Sequence, residues 1–121
     1  MTQALYQRQY PGLLKASVDS YGACRNPWTH GTVPLLALAG EADDWGRPAL
    51  TCATFARKMR PDQPFELYTC PNVVHGFENP GLATLRRNEG HAVLYDPAAA
   101  EDSFRHVRAF LSRWLGRPAA G

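Results

Sequence analysis

Hydrophobic and polar positions change their period several times along the chain. From Val33 to Gly40 (VPLLALAG) the apolar run is unbroken, and it ends in Glu41-Ala42-Asp43-Asp44-Trp45. An uninterrupted run has no solvent face, so it predicts a strand covered on both sides, as in a parallel α/β sheet. Lys15 to Tyr21, with Val18 and Tyr21 and closed by Gly22, predicts a strand before it. Phe65 to Cys70 (FELYTC) alternates, carries aromatics and stops at Pro71, which predicts a strand after it. Between the last two, Cys52, Phe55, Ala56 and Met59 recur with helical spacing behind Pro48, ended by Pro61 and Pro64. A second helix follows Asp96-Pro97, with Phe104, Val107, Leu111 and Trp114 as its expected stripe, and stops at Gly116. Thr2 to Tyr10 predicts a short helix ended by Pro11-Gly12, and Arg25 to Thr32 a loop. Gly81 to Tyr95 lacks a clear period and reads as a mobile surface segment, and Arg117 to Gly121 as a loose tail. Strand, helix, strand in this order requires right-handed crossovers and a parallel sheet of at least three strands.

Composition narrows the class. At 121 residues, 45% hydrophobic and 20% charged, the chain is an ordinary globular domain, yet short for a doubly wound enzyme. No apolar run approaches the roughly 20 residues of a membrane span. Met1 to Tyr6 lacks the basic start and apolar core of a signal peptide, which predicts a cytoplasmic location. The net charge of +2 is spread out, with no basic stripe among aromatics, so nucleic acid is not expected as a partner. Cys24, Cys52 and Cys70 are odd in number and never spaced Cys-x-x-Cys, which predicts reduced thiols rather than a disulfide framework or zinc site.

The candidate chemistry lies where the predicted strands end. Functional groups in open parallel sheets collect beyond the strands' carboxyl ends. Asp43 and Asp44 follow one strand, and His75, in Val-Val-His-Gly-Phe, follows the next. One helix and one strand separate them, which places acid and imidazole on the same edge of adjacent strands. An aspartate can hold an imidazole in one tautomer and stabilise the imidazolium formed in catalysis, and a loop histidine can serve as general base. The bland alternative is that either carboxylate caps the helix at Pro48; Asp43 is favoured for the pair and Asp44 for the cap. Trp45 is expected either at the pocket mouth or packed under that helix. His30, His91 and His106 lack metal-ligand spacing and are expected to be solvated. No glycine-rich phosphate loop occurs.

Three stretches, VPLLALAGEADDW (33–45), YTCPNVVHGF (68–77) and YDPAAA (95–100), with the closing Phe110-Leu111, resemble the carboxyl-terminal half of the dienelactone hydrolases. The resemblance runs from about Lys15 to Leu115. It implies part of an α/β-hydrolase fold, about three parallel strands with flanking helices, with Asp43 as triad acid and His75 as triad base. It implies a small ester or lactone as substrate and neither a metal nor an organic cofactor. These hydrolases carry a Gly-x-Ser-x-Gly or Gly-x-Cys-x-Gly nucleophile elbow before the acid, and this sequence has neither. Ser20 has Gly22 after it but Val18 before it; Cys24 has Gly22 before it but Asn26 after it. Cys24 is expected to line the pocket at a strand end.

The sequence thus predicts that residues 1–121 form a single partial domain lacking the nucleophile-bearing amino-terminal half. The expected chemistry is carboxylic ester or lactone hydrolysis, weak or absent in the chain alone. The alternative is a non-catalytic interaction module that pairs with a second copy or a complementing chain. Neither reading calls for a membrane.

Overall fold

The computed structural model describes residues 14–22, 24, 33–59 and 64–116. The helix expected over Thr2 to Tyr10, the loop over Arg25 to Thr32 with His30, Pro61 and the tail Arg117 to Gly121 lie outside the described residues. In chain order the elements are β1 (Ser17–Ser20), β2 (Leu35–Gly40), α1 (Pro48–Lys58), β3 (Phe65–Cys70), a 3-10 turn (Pro80–Leu82), β4 (Arg86–Asn88), β5 (His91–Val93) and α2 (Pro97–Leu115).

β1, β2 and β3 form a parallel sheet in that spatial order, with Leu35 opposite both Ser17 and Phe65, and Gly40 opposite Cys70. This is the α/β architecture expected of the carboxyl-terminal part of an α/β-hydrolase fold. All six residues of β2 are buried. The unbroken apolar run has its cause here, since the central strand has a neighbour on each side and a helix on each face. Leu36 and Leu38 join Cys70, Val73, Phe77, Ala99 and Phe110 in one core cluster beneath α2. On the opposite face Phe55 of α1 meets Phe65, which is paired with Leu35. Each fully buried leucine contributes roughly 1.5–3 kcal/mol.

Helix faces differ from the sequence expectation. In α1 Cys52 and Phe55 are buried with Pro48, but Ala56 is exposed. In α2 the buried residues are Ala99, Ala100, Ser103 and Phe110, flanked by Val107 and Leu111, while Phe104 and Trp114 stay exposed. Small side chains at 99, 100 and 103 let the backbone of α2 approach the sheet, and this rotates the larger Phe104 and Trp114 outward. A helical period gives the spacing of a stripe but not which of two adjacent stripes faces inward.

The interval from Gly81 to Tyr95 is built rather than loose. β4 and β5 pair antiparallel, with Asn88 opposite His91 and Glu89-Gly90 as a two-residue turn, both at positive φ (51° and 83°). That is the backbone of a hairpin turn whose twist matches its strands. Strands of three residues are too short to show a period of two, which is why the sequence pattern is weak here. The hairpin is anchored to the core: Val93 bridges His75, Leu94 N–H donates to His75 O at 3.3 Å, and Asp96 N–H donates to Phe77 O at 2.9 Å.

Among the described residues, no helix is long and apolar enough to cross a membrane.

Candidate functional site

The ends of β2 and β3 are laced together by backbone bonds. Glu41 N–H donates to Cys70 O at 2.8 Å and Ala42 N–H to Val73 O at 3.0 Å, so the turn after β2 rests on the turn after β3. Gly40 makes this approach feasible, because a Cβ there would stand 2.2 Å from Val73 O. Asp43 follows at once and is 4% exposed. Its Oδ1 accepts from the backbone N–H of Trp45 at 2.8 Å, which fixes the carboxylate's orientation.

The structure brings Asp43 and His75 together: His75 Nδ1 lies 2.9 Å from Asp43 Oδ2. A carboxylate only accepts, so Nδ1 carries the proton and Nε2 of the neutral ring is left free to accept one. The His75 side chain is 23% exposed while that of Asp43 is fully covered. An imidazole with its outer nitrogen near solvent and its inner nitrogen tied to a buried acid has the form of a base–orienter pair. Gly76, at φ 75°, turns the chain behind His75 so that Phe77 drops into the core with no exposed area.

Aromatic rings wall the histidine. Tyr21, just past β1, packs against it with ring centroids 4.6 Å apart, and Trp45 lies 4.8 Å away. Tyr21 sits at φ 52°, an uncommon conformation for a bulky residue, and its N–H donates to Leu38 O at 2.7 Å. Burial, then the nearby Glu78 carboxylate, pushes the Tyr21 hydroxyl's pKa up, which keeps it protonated. Ser20 Oγ donates to Glu78 Oε2 at 3.3 Å, so this serine at the end of β1 faces the histidine loop. On the outer side of the acid turn a cavity of about 500 Å³ is lined by Glu41, Ala42, Asp43, Asp44, Arg47, Ala49 and Leu50.

Three expectations are corrected. Asp44 does not cap α1; the N-cap position is Arg47, in the left-handed conformation and without a side-chain cap. Asp44 instead pairs with His91, Oδ1 to Nδ1 at 3.2 Å, because the hairpin brings His91 over the acid turn. His91 is therefore partnered rather than merely solvated, and it stacks on Trp45 at 5.1 Å with an 18° interplanar angle. Cys24 and Cys52 are joined in a disulfide, so Cys24 is not a free pocket thiol. Spacing could not reveal this bond, since 28 positions separate the cysteines and only the crossover brings their Cα atoms to 4.8 Å. Cys70 is the free thiol, buried, with its pKa pushed up by burial first and then by the Asp96 and Glu41 carboxylates.

His106 lies away from this cluster, bonded through Nδ1 to Asp102 O and stacked on Tyr68. Among the described residues, no group of three or more His, Cys, Asp or Glu side chains gathers as a metal site. Tyr21 carried no signal beyond closing a predicted strand. The consecutive carboxylates Asp43-Asp44 did carry one: two adjacent acids at a strand end can hold two imidazoles.

A parallel sheet of this topology, covered by helices and carrying Asp43 and His75 at adjacent strand ends, has the architecture of part of an α/β-hydrolase fold. A profile of the dienelactone hydrolase family matches residues 2–115. The chain belongs to that family. No curated protein sequence matches it.

Proposed function

We propose that Asp43 and His75 are the acid and base of a carboxylic ester or lactone hydrolase. The 2.9 Å contact between them at adjacent strand ends carries this reading. His75 Nε2 takes the proton of a serine or cysteine nucleophile as it attacks the carbonyl, and Asp43 stabilises the resulting imidazolium. The same proton then passes to the departing alkoxide, and a water activated by His75 releases the acid product. In this reading the nucleophile is supplied by polypeptide other than this sequence, which contains no Gly-x-Ser-x-Gly or Gly-x-Cys-x-Gly motif. In this reading residues 1–121 are one partial domain, weakly active or inactive by itself.

Assaying activated esters and small lactones tests the proposal, first with the chain alone and then with the chain joined to an elbow-bearing amino-terminal segment. The joined form should hydrolyse them, and His75→Ala should lower its kcat by about 10⁴-fold or more. Activity indifferent to His75→Ala would remove the assignment.

The second reading, a module that pairs with another copy or a complementing chain, is favoured by open edges. Among the described residues β1 and β3 each have one unpaired side, and Phe104, Trp114 and Leu115 are exposed. As to compartment, the Cys24–Cys52 disulfide supports an oxidising setting over the cytoplasmic one expected from the amino terminus.

A further inference from the structure

Asp43 and Asp44 are consecutive, yet each binds the Nδ1 of a histidine from a different element: His75 after β3 and His91 on β5. The Trp45 ring neighbours both imidazoles, with centroids 4.8 Å from His75 and 5.1 Å from His91. We propose that Asp44 and His91 are positioning residues that hold the His75 imidazole on Asp43 through the Trp45 ring. This rests on the reading of Asp43 and His75 as acid and base.

The physical case has three parts. Trp45 is already tied at its backbone to Asp43, so its side chain is the part left to be fixed. Stacking at 18° on His91 fixes it, and the Asp44 carboxylate orients the His91 ring for that stack. Tyr21 also packs against His75, with ring centroids 4.6 Å apart, so a settled Trp45 leaves the imidazole little room to rotate off Asp43. Stability alone is a poor account of the outer pair. Its side chains are 33% (His91) and 59% (Asp44) exposed, and such pairs add little to folding.

Ring-nitrogen NMR on the full chain, labelled at histidine, reads the effect directly. The observable is the rate at which the Nδ1–H proton of His75 exchanges with water, His75 being identified from a His75→Gln sample. Asp43→Asn must abolish the protected signal; if it does not, the acid–imidazole pair itself fails, apart from anything His91 does. Given that control, His91→Ala should speed exchange about threefold to tenfold, the factor an aromatic pair is worth. His91→Phe, which keeps a ring on Trp45, should bring the rate back to within about twofold of the parent. Asp44→Asn should fall between them.

The route through Trp45 has its own check. In Trp45→Leu, adding His91→Ala should change nothing further, because the carrier is gone. The backbone link from Leu94 N–H to His75 O survives all these side-chain changes, so it does not mimic the effect. Unchanged exchange in His91→Ala, or equal effects of His91→Ala with and without Trp45, overturns the proposal. Should His91→Ala not fold, His91→Phe and the Trp45→Leu pair decide alone: a His91→Phe rate as fast as that of Trp45→Leu also overturns it.

Discussion

Asp19, on β1, is a carboxyl in the wrong surroundings for its charge. Burial pushes its pKa above 3.8, against the lowering influence of the Gly22 backbone N–H. The folded chain therefore holds this proton more firmly than the unfolded chain does, so Asp19's contribution to stability is fully present below pH 3.8 and is lost as pH rises through the folded-state value. Asp19→Asn should be more stable than the parent at neutral pH and should lack that downward slope, as urea midpoints taken across the window would show. Gly40 makes a second residue-level case. With Val73 O only 2.2 Å from a Cβ at position 40, Gly40→Ala must part the acid turn from the histidine turn. The expected cost is about 1–3 kcal/mol in chemical denaturation. The same change should weaken the His75–Asp43 contact, because Asp43 lies three residues beyond the displaced glycine.

At the scale of elements, what could be read from the sequence depended on how long each pattern ran. β2 announced itself through six consecutive buried positions, and the ends of β2 and β3 placed Asp43 and His75 correctly relative to one another. The β4–β5 hairpin did not, because three-residue strands fall below any periodicity and only Glu89-Gly90 marks the turn. Nothing else in the sequence joins Asp44 to His91, and spacing alone assigns Asp44 a capping role that α1 does not use. The N-terminus of α2 was legible throughout: Asp96 Oδ1 accepts from Ala99 N–H at 3.0 Å, with Pro97 in the first turn. Asp96→Ala should cost about 1 kcal/mol by thermal or urea unfolding while sparing the backbone bond to Phe77. The disulfide belongs to this scale as well, since it ties the segment after β1 to α1. Closing a loop across 28 positions is worth about 2–4 kcal/mol, so reduction should lower the denaturation midpoint accordingly. Cys70 should meanwhile resist thiol reagents in the native state, as mass spectrometry after alkylation can establish.

For the whole molecule the question is what a three-stranded sheet does with its surroundings. Parallel sheets occur almost only where both faces are covered. Here the faces are covered by α1 and α2, but among the described residues each outer strand leaves one side unpaired. Phe104 is 46% exposed, Trp114 40% and Leu115 55%. Apolar side chains left on one helix beside an unpaired strand edge favour association. If pairing with a second copy is the outlet for that surface, sedimentation equilibrium should show the average mass rising across the micromolar range. Trp114→Lys combined with Leu115→Glu should shift that rise to at least tenfold higher concentration, since burying either charge unpaired costs more than ~1.4 kcal/mol, the value of a decade. The His75–Asp43 contact lies at the strand ends and involves neither side chain, so its NMR signature should survive those substitutions unchanged. Loss of that signature together with association would instead mean that the paired form is what holds the acid and base in place.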